Sequence, residues 1–199
     1  MRPLTILTSL LLAASISVFS QQTVEAQTTY TFDQDRSSLH LYGTSNVRDW
    51  DAKVVIQNDE ITVGEMNPGD NWIQSLTFEM PVSEVDSDSR RLNNNMHEYL
   101  GEDDHPTMRY ELVQISDISE NGNGYEIIAN SDLTVNGVTR NIDLTAQVSV
   151  NDDGSITITG SYDTLMSNFD IDPPTAMLGS VRAEDDVTIE FDVTLVEAS

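Results

Sequence analysis

Apolar and polar residues alternate with a period of two along most of this chain, which is the pattern of half-buried β-strands. The clearest case is VTIEFDVTL at 187–195, where Ile189 and Phe191 share a face opposite Glu190 and Asp192. Similar alternation marks residues 72–80, 125–135, 142–150 and 156–162, with shorter candidates at 30–32, 38–44, 50–56 and 108–115. The pattern predicts about eight or nine antiparallel strands.

Strong turn sequences separate these segments. Asn136-Gly137 is a typical two-residue hairpin turn, and the stretches 67–70, 121–124 and 151–154 are rich in Asn, Asp and Gly. A sheet of so many strands must close or fold over to hide its edges. We therefore predict an all-β fold, an extended antiparallel β-barrel of about eight strands.

One segment has helical spacing instead. Between Ser89 and Leu100, the residues Leu92, Met96 and Tyr99 recur every three or four positions, and Gly101 follows as a stop. A single short helix is therefore expected within the sheet protein. The least regular long stretch is 163–186.

The first 26 residues have the pattern of a secretory signal peptide. A single cation, Arg2, precedes an apolar run at 10–19, and small residues flank Glu25 in Val24-Glu25-Ala26. The alternative, a membrane anchor, needs about 20 apolar residues, and this run is shorter. We predict a signal peptide at 1–26 and a barrel domain at 27–199. The mature chain is expected to be periplasmic or secreted, without an integral membrane span.

Charge narrows the range of partners. The chain has 9 Lys and Arg against 34 Asp and Glu, a net charge of -25, and no Cys. Nucleic-acid binding is excluded because phosphate backbones need a basic surface. The absence of Cys excludes disulfides and thiol chemistry. So acidic a surface favours a halophilic protein, since concentrated salt screens carboxylate repulsion; an acidic exported protein from an ordinary habitat is the alternative.

Catalytic motifs are scarce in this sequence. It has no phosphate-binding glycine loop, no G-x-S-x-G elbow and no H-E-x-x-H motif. His97 and His105 lie among carboxylates at the end of the predicted helix, so a metal-dependent enzyme using these two residues is the less favoured alternative. We predict a protein that is not an enzyme.

Four segments together resemble the YceI-like family. They are SLHLYGTSNVRDW at 38–50, NMHEYL at 95–100 followed by HPTM at 105–108, DLTVNGVTR at 132–140 and FDIDPP at 169–174. The resemblance implies an exported, lipocalin-like barrel whose apolar interior holds a polyisoprenoid or similar lipid. Relatives usually have His where this chain has Arg48, so no role of that imidazole can be transferred.

The resemblance implies no cofactor other than a bound polyisoprenoid or isoprenoid quinone. The expected partner is therefore an amphiphilic isoprenoid-type small molecule. Because cations are few, the sequence favours a neutral head group over a prenyl diphosphate, for which Arg90 and Arg91 are the alternative partners. A structural or adhesive envelope domain without a ligand is the competing function.

Strand parity then assigns residues to the interior. The inward face is where a lipid would be bound, although simple core packing would place apolar side chains there as well. The predicted ligand-binding residues are Leu76, Phe78, Met80, Met108, Tyr110, Leu133, Val135, Leu144, Ala146, Ile189 and Phe191.

Overall fold

A computed structural model describes residues 28–57, 61–63, 73–122, 124–176 and 178–198. The predicted signal peptide and the turn at 67–70 lie outside these residues. The described part contains twelve strands: β1 (Thr28–Phe32), β2 (Ser38–Ser45), β3 (Trp50–Lys53), β4 (Ile61–Val63), β5 (Ile73–Ser75), β6 (Thr77–Pro81), β7 (Thr107–Asn121), β8 (Gly124–Val135), β9 (Val138–Val150), β10 (Ile156–Leu165), β11 (Thr175–Ala176) and β12 (Val181–Glu197).

Eight of these strands form one curled antiparallel sheet in the order β3-β2-β12-β10-β9-β8-β7-β6. Its two ends meet through backbone hydrogen bonds. Gln57 N donates to Glu79 O at 2.9 Å, and Lys53 and Asp86 exchange two bonds of 2.7 and 2.9 Å. The predicted all-β, lipocalin-like barrel of about eight strands is therefore confirmed.

β12 is the longest strand and organises one side of the sheet. One edge pairs with β10, while the other pairs first with β2 and then, beyond a gap, with β1. β4 and β5 extend the sheet outward from β1. The prediction that 163–186 is irregular is wrong in part, because the end of β10 and the start of β12 both lie within this stretch. A bulge between Ala183 and Val187 interrupts the local pattern there.

The turn between β8 and β9 is the hairpin that the sequence predicts. Asn136 has φ 49° and Gly137 has φ 72°, and Val135 pairs with Val138. Positive φ at both central residues gives a turn whose twist matches that of the strands, which explains the Asn-Gly sequence. The hairpin tip packs against the 3-10 turn Met166–Phe169, where Asn136 Nδ2 donates to Phe169 O at 3.3 Å.

Two strand predictions need correction. Residues 73–80 do not form one strand: β5 pairs with β4, whereas β6 pairs with β7, and Leu76 lies at the break. Trp72 lies outside the described residues.

The second correction concerns β7, which extends well beyond Ile115. Bulges after Leu112 and again after Ile115 shift the alternation of inward and outward side chains. Leu112 and Ile115, three residues apart, therefore both face the interior.

The helix α1 (Arg90–Tyr99) has the predicted bounds. Ser89 is the N-cap, and its Oγ accepts a hydrogen bond from Leu92 N at 3.4 Å. Leu100 is the C-cap, and Gly101 follows with φ 79°. Two short 3-10 turns, Val82–Glu84 and Met166–Phe169, lie at the same end of the sheet. No helix in the described ranges has the length and hydropathy needed to span a bilayer.

Candidate ligand-binding site

The curled sheet encloses a cavity of about 500 Å³. This volume falls within the range of about 300–1,000 Å³ that is usual for small-molecule sites. Its wall is formed mostly by aliphatic and aromatic side chains, which come from β1 to β3, β5 to β10, β12 and α1. Such an interior is suited to an apolar chain, because water gains few hydrogen bonds there.

All eleven residues that strand parity assigned to the interior lie on the wall of this cavity. Tyr110, Leu133 and Ala146 are buried, and Ile189 and Phe191 are partly buried against the core. Plain packing would bury the same side chains, so their contact with a ligand stays a prediction.

Other wall residues were not assigned by the sequence analysis. Ile127 and Ala129 share the inward parity of Leu133 on β8, so the same alternation could have identified them. Leu39 and Leu41 contribute from β2. The helix adds a further set at helical spacing: Leu92, Asn95, Met96 and Tyr99. A periodicity argument shows that these four share a face but does not show that the face covers a cavity.

An aromatic cluster crosses the interior. The rings of Phe32 and Phe78 meet edge to face with centroids 5.4 Å apart, and Phe78 stacks on Tyr110 at 4.9 Å. Tyr110 Oη and Ser131 Oγ are hydrogen-bonded at 2.7 Å. Burial raises the pKa of Tyr110, because ionisation would place a charge in an apolar interior, and the Ser131 hydrogen bond offsets this in part.

The two ends of the cavity differ in exposure. At the end away from α1, Ile56, Ile73 and Leu195 are 5%, 2% and 0% exposed. At the α1 end, Arg48 and Arg91 are exposed, and Val47 retains 65% of its surface in solvent. The cavity therefore opens beside the helix, between the β2–β3 loop and the N-terminus of α1.

His97 and His105 have structural contacts instead of a shared site. His97 Nε2 is 2.8 Å from Val85 O, and its Nδ1 is 3.5 Å from Glu102 Oε2, so it ties the helix to the preceding 3-10 turn. His105 packs against Gly137, where a Cβ would lie 2.5 Å from the imidazole. In the part of the chain that the structure covers, no three His, Cys, Asp or Glu residues are arranged to hold a metal ion.

Comparisons with known proteins agree with this architecture. The family model of the YceI-like domain matches residues 30–195. A search of curated proteins found no match.

Solved structures share the fold at low sequence identity. BcnA of Burkholderia cenocepacia has a TM-score of 0.60 and 18% identity over 82% of this chain and 98% of its own. A polyisoprenoid binding domain from Saccharophagus degradans has a TM-score of 0.61 and 13% identity over 85% and 98%. The Campylobacter jejuni YCEI protein has a TM-score of 0.51 and 17% identity over 74% and 81%. At these identities the likeness shows the fold alone.

Proposed function

The chain belongs to the YceI-like family, and we propose that it binds a lipid of the polyisoprenoid type inside the curled sheet. The observation that supports this most strongly is the apolar cavity of about 500 Å³, closed at one end and open beside α1. The polyisoprenoid binding domain of Saccharophagus degradans has the same fold, which adds support.

The energetics suit a long apolar ligand. Each CH₂ group transferred from water into the cavity contributes about 0.8 kcal/mol. A chain of about ten such groups offsets a large part of the entropy lost on binding, which is of the order of 4–15 kcal/mol. Binding of this kind needs no catalytic group, so we propose a binding protein and not an enzyme.

We also propose that the protein acts outside the cytoplasm. The support is the signal-peptide pattern of the first 26 residues. Intact mass spectrometry of protein from its native host tests this. A mature chain beginning at Gln27 is expected, and retention of residues 1–26 would contradict export.

Two measurements test lipid binding. Mass spectrometry of an organic extract of the purified protein should reveal a copurifying isoprenoid lipid. Titration of delipidated protein with all-trans-retinol, a fluorescent neutral isoprenoid, should show saturable binding. An empty extract together with no retinol binding would overturn the proposal.

A pair of variants on neighbouring residues localises the ligand. Ala146 is 3% exposed and lines the cavity, whereas Thr145 is exposed on the opposite face of β9. Ala146→Phe should fill the interior and abolish retinol uptake, and the matched Thr145→Phe should leave it unchanged. Circular dichroism establishes that both variants are folded. Equal uptake by two folded variants would place the ligand elsewhere.

A further inference from the structure

Among the residues that the structure describes, two charged side chains line the cavity wall, and both are cationic. They are Arg48, from the loop between β2 and β3, and Arg91, from the first turn of α1. Within the described residues, no Asp or Glu lines the cavity, although acidic residues outnumber basic ones by 34 to 9 in the whole chain. Charged residues drawn at random from this composition would be mostly acidic. The charged residues of the wall are basic instead, so the composition alone does not explain them.

We infer that the opening of the cavity binds the anionic head, a phosphate or a carboxylate, of the amphiphile whose apolar chain occupies the interior. This inference rests on the proposed function. Guanidinium groups donate several hydrogen bonds in a planar array that matches the oxygens of phosphate and carboxylate. Both arginines lie at the open end, where the head of a ligand inserted tail first would remain.

Neither guanidinium forms an ion pair with a carboxylate in the part of the chain that the structure describes. Among the described residues, the ion pairs of arginine belong to Arg36 and Arg109, and Arg48 and Arg91 take part in none. Both lie in a strongly acidic molecule, yet no carboxylate of the described residues is within ion-pairing distance of either. Their donors are therefore available to an incoming anion.

The loop that presents Arg48 is held by hydrogen bonds on both sides. Ser45 Oγ donates to Arg48 O at 2.7 Å and accepts from Arg48 N at 3.1 Å. Asn46 Nδ2 donates to Ser180 O at 3.0 Å, and Asn46 Oδ1 accepts from Arg182 N at 2.9 Å. The loop is thus tied to the start of β12, which reduces the entropy lost when Arg48 binds a ligand.

Arg91 is presented by an equally anchored helix start. Asn93, one turn into α1, accepts from Ser87 N at 2.8 Å and from Ser87 Oγ at 2.5 Å, and its Nδ2 donates to Asp86. Ser89 caps the first turn. Arg90, its neighbour, does not line the cavity, so the structure separates two arginines that the sequence presents as equivalent.

This placement favours an anionic head over the neutral head that the sequence alone favoured. The scarcity of cations favoured a quinone or a free prenol so long as their positions were unknown. Two of the few cations lie at one opening of one cavity, which is where an anionic head needs them.

Competition against bound retinol tests the inference with ligands that differ at the head alone. The competitors are geranylgeranyl phosphate, geranylgeraniol and inorganic phosphate, at constant ionic strength. Arg48 and Arg91 would each form one exposed ion pair with the phosphate of the lipid. The lipid phosphate should therefore displace retinol at a concentration about tenfold lower than the alcohol does. Inorganic phosphate alone should displace none, because it gains nothing from the apolar interior.

Variants assign this preference to the two arginines. In the double variant Arg48→Gln/Arg91→Gln, the ratio between alcohol and phosphate should fall to about one. The control Arg90→Gln/Arg182→Gln removes the same net charge from residues that do not line the cavity, and should keep the wild-type ratio.

The outcomes separate this inference from the proposed function. Equal competition by phosphate and alcohol in the wild type, or a preference that survives in Arg48→Gln/Arg91→Gln, would overturn the anionic head while lipid binding stands. Displacement by inorganic phosphate as strong as that by the lipid phosphate would indicate a site for free anions instead. Failure of retinol to bind at all would overturn the proposed function itself.

Discussion

The indole of Trp50 lies against the backbone of Gly43, its partner across the β2–β3 pair. A Cβ on residue 43 would be 2.1 Å from Trp50 Cζ2, far inside van der Waals contact. Trp50 Nε1 donates to Thr44 O at 3.3 Å, and the side chain lines the cavity beside its opening. Glycine at position 43 therefore sets where this part of the cavity wall lies.

Gly43→Ala is expected to displace the indole and to destabilise the protein by about 1–3 kcal/mol, as overpacking usually does. Denaturant unfolding measures the loss. Tryptophan fluorescence in a Trp72→Phe background reports the environment of Trp50 alone. Thr44→Ala, at the neighbouring exposed position, is the matched control. An unchanged emission spectrum with wild-type stability would contradict the close packing.

Tyr110→Phe tests the buried hydrogen bond to Ser131. The substitution leaves Ser131 Oγ with a 3.5 Å contact to Ala129 O, so we expect a loss of about 1 kcal/mol at neutral pH. Tyr42→Phe, which removes a more exposed phenol, is the control. Urea denaturation of the three proteins gives the comparison.

The same variant is expected to differ from the wild type in how its stability depends on alkaline pH. The pKa of Tyr110 is raised above 10.0 in the folded state, so the folded protein retains a proton that the unfolded chain releases. The stability from this difference is present below pH 10 and falls as pH rises towards the folded pKa. The gap in melting temperature between wild type and Tyr110→Phe should therefore narrow above pH 10. A constant gap would mean that Tyr110 ionises equally in both states.

Asp153→Asn tests a clamp at the closed end of the cavity. Asp153 accepts from Ser155 Oγ at 2.5 Å, from Ser155 N at 3.0 Å and from Arg36 Nη1 at 3.1 Å, linking the β9–β10 turn to the β1–β2 loop. The Ser155 hydroxyl, more than any other group, lowers the pKa of Asp153 from 3.8 to about 2. Asp152→Asn changes the same charge in the same turn and is the control.

The sign of the acid dependence follows from that shift. A lowered folded pKa means that the carboxylate stabilises the protein above pH 3.8, and that this contribution disappears as pH falls towards about 2. Melting temperatures of Asp153→Asn should lie below those of Asp152→Asn at pH 6 and converge with them near pH 2. Divergence at low pH would contradict the assignment.

Salt should stabilise the protein. The ion pairs among described residues involve Arg36, Arg109 and His97, so most of the carboxylates have no cationic partner. Repulsion within a net charge of -25 should weaken as the Debye length falls from about 10 Å at 0.1 M to about 3 Å at 1 M. The melting temperature in NaCl is expected to rise and then level off. A flat or falling curve would remove the halophilic interpretation.

The features that sequence analysis predicted well depend on neighbouring residues. Alternation along β8 and β9 placed Leu133 and Ala146 on the inner face because side chains in a strand point to opposite sides in turn. Asn136-Gly137 predicted its hairpin because this dipeptide tolerates positive φ at both positions. Ser89 and Gly101 bounded the helix through local capping geometry.

From its sequence alone, the protein is predictable as an all-β fold with one helix and an apolar inner face. Three features are visible only once the chain is folded: residues 73–80 divide between two partner strands, bulges move Ile115 onto the wall, and the cavity opens beside α1. Folding also brings Arg48 and Arg91, far apart along the chain, to that opening and leaves Arg90 off the wall. The difference arises because side-chain parity is set by neighbouring residues, whereas register, bulges and the docking of a helix depend on strands distant in sequence.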